Sequence, residues 1–370
     1  MIELITTIGM LSVAIYLLIL LYVIIGIIRT KEDLTDEQSF VTVIVAAHNE
    51  SHNIAACLDS ILKQDYPHEK MEIIVVNDRS EDNTGLILNE YEKNNTLIRV
   101  LTISEYEPGL SPKKNALTQA IKLATGEIIA TTDADCEVPV HWLRKGVSYF
   151  TSETGMVVGL APLKPTSWWL SPYICLDALT ADILSYGSFG WGHAVACTGR
   201  NFAYRKSVFM EVNGFSGIDH IITGDDDLFL QKVAKKTNWK IQFSSELESS
   251  VSSDAPYGWT HFITQRKRHI SGAKYFSFPV QLSYTLYFFS KLFIMLTFIV
   301  FLTNNIETFI PIMLLLFSYF STAMFIYVMA RKTNQIRLII YYPLWEIYYL
   351  ICHIFLGPLG LLGKISWGKR

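Results

Sequence analysis

Asp133-Ala134-Asp135 closes a strand-like run, Gly126-Glu-Ile-Ile-Ala-Thr-Thr132. Two carboxylates one residue apart, at a strand end where side chains emerge into a crevice, can hold a divalent cation against a diphosphate. Alone, such a pair is more often a solvated turn. Here further polar stations accompany it. An apolar run ends in Asp78 upstream, Asp225-Asp226-Asp227 lies downstream, and Gln265-Arg266-Lys267-Arg268-His269 precedes an apolar segment. Arg266 and Arg268 can make bidentate contacts to phosphate oxygens, which lysine cannot.

The elements that position these stations follow from composition and periodicity. Half of the 370 residues are hydrophobic and only 18% are charged, which points to a membrane protein with a globular part. A net charge of −3 gives no electrostatic case for nucleic acid as a partner. Five cysteines without CxxC spacing speak against a disulfide framework or a zinc site and suit a reducing compartment. Cys136, beside the carboxylate pair, reads as packing.

Residues Leu4 to Ile28 carry no charge, and a spanning helix needs roughly 20 apolar residues. The start lacks the basic segment of a signal peptide. Arg29 and Lys31 then place residue 30 onward in the cytosol by the positive-inside rule. Three further spans are expected, at about Tyr284–Leu302, Phe309–Met329 and Leu338–Leu362. The basic loop Arg331–Arg337 is expected on the cytosolic side, whereas the tail from Lys364 to Arg370 conflicts with a fourth crossing. The last segment is then either a span or re-entrant and interfacial. Lys291 is expected to snorkel to the interface, with Phe276–Phe289 lying partly along the membrane surface. Glu346 and His353, seven apart on one helical face, read as polar residues paired within a bundle or as a transport site.

From about Phe40 to Gly272 strands alternate with helices. Val41–Ala47 reads as a buried parallel strand, Asn53–Gln64 as a helix, Glu72–Val76 as a strand, and Asn77–Thr84 as a polar turn capping the next helix. Strands at Ile98–Ile103 and Glu127–Thr131 flank a helix at Asn115–Ala124. The pattern predicts an α/β domain with a doubly wound, mostly parallel sheet, whose ligand lies beyond the carboxyl ends of the strands. His48, Glu50, Asp78, Asp133 and Asp135 would face that crevice. Neither a Walker pattern nor GxGxxG follows any strand, so a phosphate-bearing ligand must be held by metal and side chains. The expected domains are 1–30 (membrane helix), 40–272 (globular) and 276–363 (interfacial and membrane helices).

At this point the residues resemble the membrane-embedded family 2 glycosyltransferases with a GT-A fold, the group containing cellulose and hyaluronan synthases and ceramide glucosyltransferase. The resemblance rests on Val-Ala-Ala-His-Asn-Glu50, Val-Asn-Asp78, Lys113-Lys114-Asn-Ala-Leu117, Asp133-Ala-Asp135-Cys, Gly199-Arg-Asn201 with Arg205, Thr223-Gly-Asp-Asp226 and Gln265-Arg-Lys-Arg268. It implies that Ala46, His48, Glu50, Asp78, Lys113 and Asp133 surround the nucleotide sugar, with Glu50 and Asp78 at the base and ribose. Asp135 would bind the metal, Mg²⁺ or Mn²⁺. Where the family has Glu-Asp, alignment on Gly224 puts the catalytic base at Asp226. Gln265, Arg266, Arg268 and His269 would brace the diphosphate and the acceptor side. His269 departs from the family tryptophan, whose flat face can stack on an acceptor sugar.

The chemistry runs parallel. A divalent ion stabilises charge building on a leaving diphosphate, and carboxylate ligands suit Mg²⁺ or Mn²⁺. A carboxylate among like charges has a raised pKa suited to taking a proton from an acceptor hydroxyl. Singly, each station has an ordinary explanation: Asp78 a helix cap, Asp225–Asp227 a solvated turn, Gln265–His269 a stripe for anionic lipid heads. All in one order favour the transferase reading. Trp191 and His193 fit either an acceptor groove or an aromatic core. The expectation is an inverting, metal-dependent glycosyltransferase of a multi-pass inner or plasma membrane, its catalytic domain cytosolic, using a UDP-linked sugar donor and a lipid or glycan acceptor. His269 and few helices favour adding one sugar to a lipid over a processive polysaccharide synthase. A transporter or scaffold with a degenerate transferase domain is the alternative from another class.

Overall fold

An apolar stretch has one way to satisfy its backbone in an apolar setting, which is to coil. The first element, α1 (Ile2–Arg29), is such a helix, with its charges Glu3 and Arg29 confined to its ends. The computed structural model describes residues 2–105, 109–304 and 309–362. They form two compact units: an α/β unit from residues 31–164 and 192–255, and a helical unit from residues 2–30, 165–191 and 256–362.

In the α/β unit, β-branched runs become strands and the amphipathic stretches between them become helices. The order is β1 (Val41–Ala47), α2 (Ile54–Leu62), β2 (Met71–Asp78), α3 (Thr84–Asn94), β3 (Ile98–Ile103), α4 (Pro112–Leu123), β4 (Ile128–Asp133), α5 (Trp142–Ser148), β5 (Thr154–Gly159) and β6 (Leu163–Lys164). After α6 (Ser171–Phe189), which belongs to the helical unit, come β7 (Phe202–Arg205), α7 (Lys206–Glu211), α8 (Asp227–Lys236), β8 (Lys240–Ser244) and β9 (Ser253–Asp254). A seven-stranded sheet has the order β3-β2-β1-β4-β7-β5-β8. Its first four strands are parallel, β7 runs antiparallel to β4 and β5, and β8 is parallel to β5. The sheet is therefore mostly parallel, as its sequence pattern predicts.

Alternation of side chains along a strand divides β1 between two faces. Val41, Val43, Val45 and Ala47 join one buried cluster with Ile54, Leu58 and Ile61 of α2 and Trp142 and Val147 of α5. The alternate residues face α4, which packs on β1 and β2. Register sets the strand ends level, with Ala46 beside Asp133 and Ala47 beside Asn77. Strand order reverses between β1 and β4, and a crevice opens at such a switch point.

Boundaries shift in two informative places. α4 starts at Pro112, three residues before the predicted start, because proline at the first helical position is already set for the helix. Lys113 and Lys114 consequently sit in its first turn. Asp78, read alone as a helix cap, instead ends β2. Asp82 takes the capping part, accepting bonds from the Thr84 amide (2.9 Å) and hydroxyl (2.5 Å).

The helical unit adds α9 (Trp259–Ala273), α10 (Phe278–Thr303), α11 (Phe309–Lys332) and α12 (Tyr342–Leu362) to α1 and α6. Four stretches, 3–29, 278–303, 309–332 and 336–360, are long and apolar enough to cross a membrane. α1 and α6 cross closely through glycines: a Cβ on Gly26 would lie 1.8 Å from the Gly187 carbonyl oxygen.

The stretch Phe276–Phe289 runs into the 26-residue α10, which begins at Phe278. One expectation for this unit is corrected. Lys291 does not snorkel: it is 4% exposed, and its Nζ donates to Glu346 Oε1 (2.7 Å), Glu346 Oε2 (2.9 Å) and Thr322 Oγ1 (2.8 Å). A neighbouring helix offers it a carboxylate. Glu346 also accepts from Tyr342 Oη (2.7 Å), while His353 is hydrogen-bonded through Nδ1 to the Tyr349 carbonyl (2.9 Å). The tail Lys364–Arg370, which conflicts with a fourth crossing, lies outside the described residues.

Candidate active site

The carboxyl ends of β1, β2 and β4 carry Ala46, Asp78 and Asp133, and the turn after β4 carries Asp135. Asp133, Asp135 and Cys136 each offer a ligand atom, all within 4.8 Å of one another. From the first turn of α4, Lys113 reaches across to two carboxylates, Asp133 (2.9 Å) and Asp225 (2.8 Å). The cation thereby ties the end of β4 to the amino end of α8.

The three consecutive aspartates go three ways. Asp225 pairs with Lys113. Asp226 is the N-cap of α8, accepting from Asp227 N at Oδ1 (2.7 Å) and from Gly199 N at Oδ2 (2.8 Å). Asp227 Oδ1 accepts from Cys197 N (2.6 Å). The backbone at Gly199 comes close to all three groups: a Cβ there would lie 3.3 Å from Asp225 Oδ2, 3.4 Å from Lys113 Nζ and 3.5 Å from Asp226 Oδ2. Thr131 of β4 fixes this turn by donating to the Gly199 carbonyl (2.9 Å).

Charge and burial shape the proton affinities. Burial raises the Asp226 carboxyl above the ordinary carboxylate range and the Asp225 charge adds to this, while Lys113 and the two amide donors oppose it. Asp227 is raised strongly, by burial and then by Asp226. Burial alone would lower Lys113, but Asp133, Asp225 and Asp226 hold its ammonium well above the lysine range. Burial and the two nearby aspartates push the Cys136 thiol up, so it stays protonated.

At the other edge of the crevice, His48 Nδ1 meets the Asp78 carbonyl oxygen (2.6 Å), and Glu50 Oε2 accepts from Asn53 Nδ2 (2.9 Å). The side chain of Asp78 is only 2% exposed and is bridged by Arg79 through Nε (2.7 Å) and Nη2 (2.9 Å), leaving the arginine as the more exposed partner at 24%. Arg79 holds a left-handed backbone, φ 53°. Gln265, Arg266, Arg268 and His269 lie on α9 of the helical unit, with His269 exposed. Arg266 pairs there with Asp177 of α6. Trp191 is an aromatic packing residue of that unit: it stacks on Tyr22 (5.2 Å between centroids) and donates to the Tyr22 carbonyl (2.8 Å). His193 is exposed in the α/β unit.

Two family profiles match this chain: Glycosyl transferase family 2 over residues 42–213, and Glycosyl transferase family group 2 over residues 128–360. The chain belongs to the family 2 glycosyltransferases. It is 27% identical over 241 residues to "Probable glycosyltransferase YdaM" of Bacillus subtilis, covering 64% of this chain and 55% of that protein. It is 34% identical over 123 residues to the beta-monoglucosyldiacylglycerol synthase of Trichormus variabilis, covering 33% of this chain and 26% of that one. The aligned stretch thus spans about half, or less, of these curated relatives. Among solved structures, the mannosyltransferase PcManGT from Pyrobaculum calidifontis, in complex with GDP-Man and Mn²⁺, is similar with a TM-score of 0.60 at 18% identity, over 93% of this chain and 99% of that one. The fold is shared.

Sequence reasoning about this family 2 glycosyltransferase passed over three residues of the site. Asp225 was legible only as part of an acidic run, with nothing to single it out as the partner of Lys113. Arg79 gives no local signal. Lys114 does give one: it lies three and seven residues before Leu117 and Ile121, on the buried stripe of α4, and is itself 1% exposed.

Proposed function

We propose that this glycosyltransferase moves a sugar from a nucleoside diphosphate to a membrane lipid at the cytosolic face, with inversion and with a divalent cation. The observation that carries the reading is the clustering of the Asp133/Asp135 pair, Lys113 and the half-buried Asp226 around Gly199 at a strand-end crevice. Asp135 and Asp133 supply hard carboxylate oxygens, which suit Mg²⁺ or Mn²⁺. The protonated, buried Cys136 is a poor ligand for either ion. When bound, the cation supplies charge neutralisation to the departing diphosphate.

The side chains would divide the work. Lys113, fixed by two carboxylates, sets a positive charge beside the crevice for the phosphates. Asp226 accepts the proton of the acceptor hydroxyl. Its raised pKa matches it to that task, and its amide bonds hold it in one orientation. His48, Glu50, Asp78 and Ala46 form the nucleotide side, with Arg79 holding Asp78. On α9, Gln265, Arg268 and His269 would serve the acceptor side. A glycerolipid acceptor is supported by the synthase relative, whose name is that of a beta-monoglucosyldiacylglycerol synthase; a UDP-linked donor is what the family resemblance implies. The basic flank of α1, Arg29 and Lys31, supports the cytosolic placement.

The test is to incubate purified full-length protein in nanodiscs with Mn²⁺ or Mg²⁺, each of UDP-glucose, UDP-N-acetylglucosamine and GDP-mannose, and a lipid extract. Lipid-dependent release of nucleoside diphosphate, with a product of discrete mass that partitions into organic solvent, is expected. A ladder of products resistant to extraction would mean a processive synthase. Donor binding without turnover under every condition would mean a degenerate transferase domain.

A further inference from the structure

The loop before the aspartate cluster has no helix or strand of its own between Val212 and Asp227. Ordering such a segment costs conformational entropy, so something must hold it. The amino end of α4 does so at five points. Lys114 Nζ donates to the carbonyls of Ile218 (2.7 Å), Ile221 (2.8 Å) and Thr223 (2.7 Å). Ser111 donates from its amide to Asp219 O (2.7 Å) and from its hydroxyl to Ile222 O (3.2 Å). As N-cap of α4, Ser111 makes no side-chain bond to its own helix.

An ammonium carries three N–H donors, and here three carbonyls accept them, so a buried cation is fully satisfied without a carboxylate. Burying that charge is unfavourable against an apolar side chain of the same length. The Lys114 ammonium is accordingly pushed down to about 8 by burial, with Asp225, Asp226 and Asp219 opposing. The last bonded carbonyl, Thr223, is followed by Gly224, whose left-handed backbone (φ 79°) turns the chain into Asp225 and Asp226. A Cβ on Gly224 would meet Leu228 Cγ at 2.4 Å. Lys113, one residue before, holds the Asp225 carboxylate. The first turn of α4 therefore grips the loop twice: by its backbone through Lys114, and by its charge through Lys113.

We propose that Lys114 is a positioning residue of the transferase, which fixes the 218–224 loop so that Asp226 is presented to the acceptor in one orientation. The proposal rests on Asp226 being the base. Lys114 does not touch substrate; its effect passes through the loop backbone.

Lys114→Met keeps length and apolar stem and deletes all three donors. In the full-length protein, hydrogen exchange of amides 218–228 is expected to rise at least tenfold with strands β1, β2 and β4 unchanged. The kcat for the donor selected by the panel above should fall about 30- to 100-fold, with donor affinity within threefold of wild type. Unchanged exchange in the loop, or a kcat within threefold of wild type, overturns the proposal, as does an equal loss of donor affinity with loosening throughout the sheet. If Lys114→Met does not fold, Ser111→Ala carries the test. It should raise exchange across 218–224 and lower kcat about 3- to 10-fold, and no change in either measurement refutes the clasp. Asp226→Asn run in parallel separates the two readings. Turnover by Asp226→Asn means the base assignment has failed. A dead Asp226→Asn beside an active, folded Lys114→Met means the positioning role alone has failed.

Discussion

Replacing Lys291 by methionine should strip the helical unit of much of its stability, and replacing its partner as well should restore most of it. Lys291 Nζ has all its donors engaged, two by Glu346 and one by Thr322, and sits over the rings of Tyr16 (5.1 Å), Tyr287 (5.7 Å) and Trp345 (5.9 Å). The side chains of the pair are 2% and 13% exposed. Removing one partner of so buried a pair costs about 3–5 kcal/mol, because the remaining charge is stranded, whereas replacing both by apolar groups is often close to neutral. Lys291→Met and Glu346→Leu should each destabilise by about that amount, and the double variant by about 2 kcal/mol or less, giving a coupling energy of about 4 kcal/mol or more. An ordinary interhelical hydrogen bond in a bilayer couples by only about 0.6 kcal/mol, about 1.7 at most. The two descriptions are therefore separable. Unfolding in mixed micelles of rising SDS fraction, followed by circular dichroism and by maleimide labelling of Cys352 on α12, yields the cycle. A coupling energy below about 1.7 kcal/mol would refute the argument from a stranded charge.

Asp226→Asn should abolish turnover, by about 10²–10⁴-fold, while leaving donor binding within a few-fold. Because its folded carboxyl is raised, the folded state binds the proton more tightly than the unfolded chain. Stability thus falls as pH rises from the ordinary carboxylate range through the raised value, a dependence that Asp226→Asn should lose; for the same reason the acid limb of kcat/KM should lie above the range of a free aspartate. Asp135→Ala should insert and fold but lose both activity and the paramagnetic broadening of Mn²⁺, and full activity in excess EDTA would dismiss the cation. Arg79→Gly relieves a left-handed residue costing about 1 kcal/mol but strands the buried Asp78 carboxylate, which costs more. Melting should therefore fall while donor KM rises about tenfold, the worth of one charge-assisted hydrogen bond, and an unchanged KM would show that Arg79 does not act on the nucleotide side. Impermeant labelling of cysteines placed in intact cells should miss both the α/β unit and the Arg331–Arg337 loop, and labelling of either would reverse the orientation.

Much of the fold was written in local pattern. Val41–Ala47 and Ile98–Ile103 have the predicted bounds, because β-branched runs between polar breaks leave few alternatives. Apolar stretches of about 20 residues announced the apolar helices for the same kind of reason. The segments that misled are those whose neighbours in space differ from their neighbours in sequence. Lys291 looks like a residue that snorkels to the interface, until Glu346 gives it a partner on a neighbouring helix. Asp78 looks like a helix cap, until it is found closing β2 with Arg79 folded back on it.

By itself, then, the chain specified that strands alternate with helices, that four stretches suit a membrane, and that Ala46, Asp78 and Asp133 stand at strand ends. Those properties depend on periodicity within a turn of helix or a few residues of strand. It did not specify which carboxylate Lys113 would choose, that Asp225, Asp226 and Asp227 would diverge, or that Lys114 would reach a loop more than 100 residues away. Nor did it pair Lys291 with Glu346 across 55 residues. Such partnerships depend on the order of strands in the sheet and on how the loops return to it. In a buried setting each charge must find the nearest compensating group in space, and that is decided only once the chain has folded.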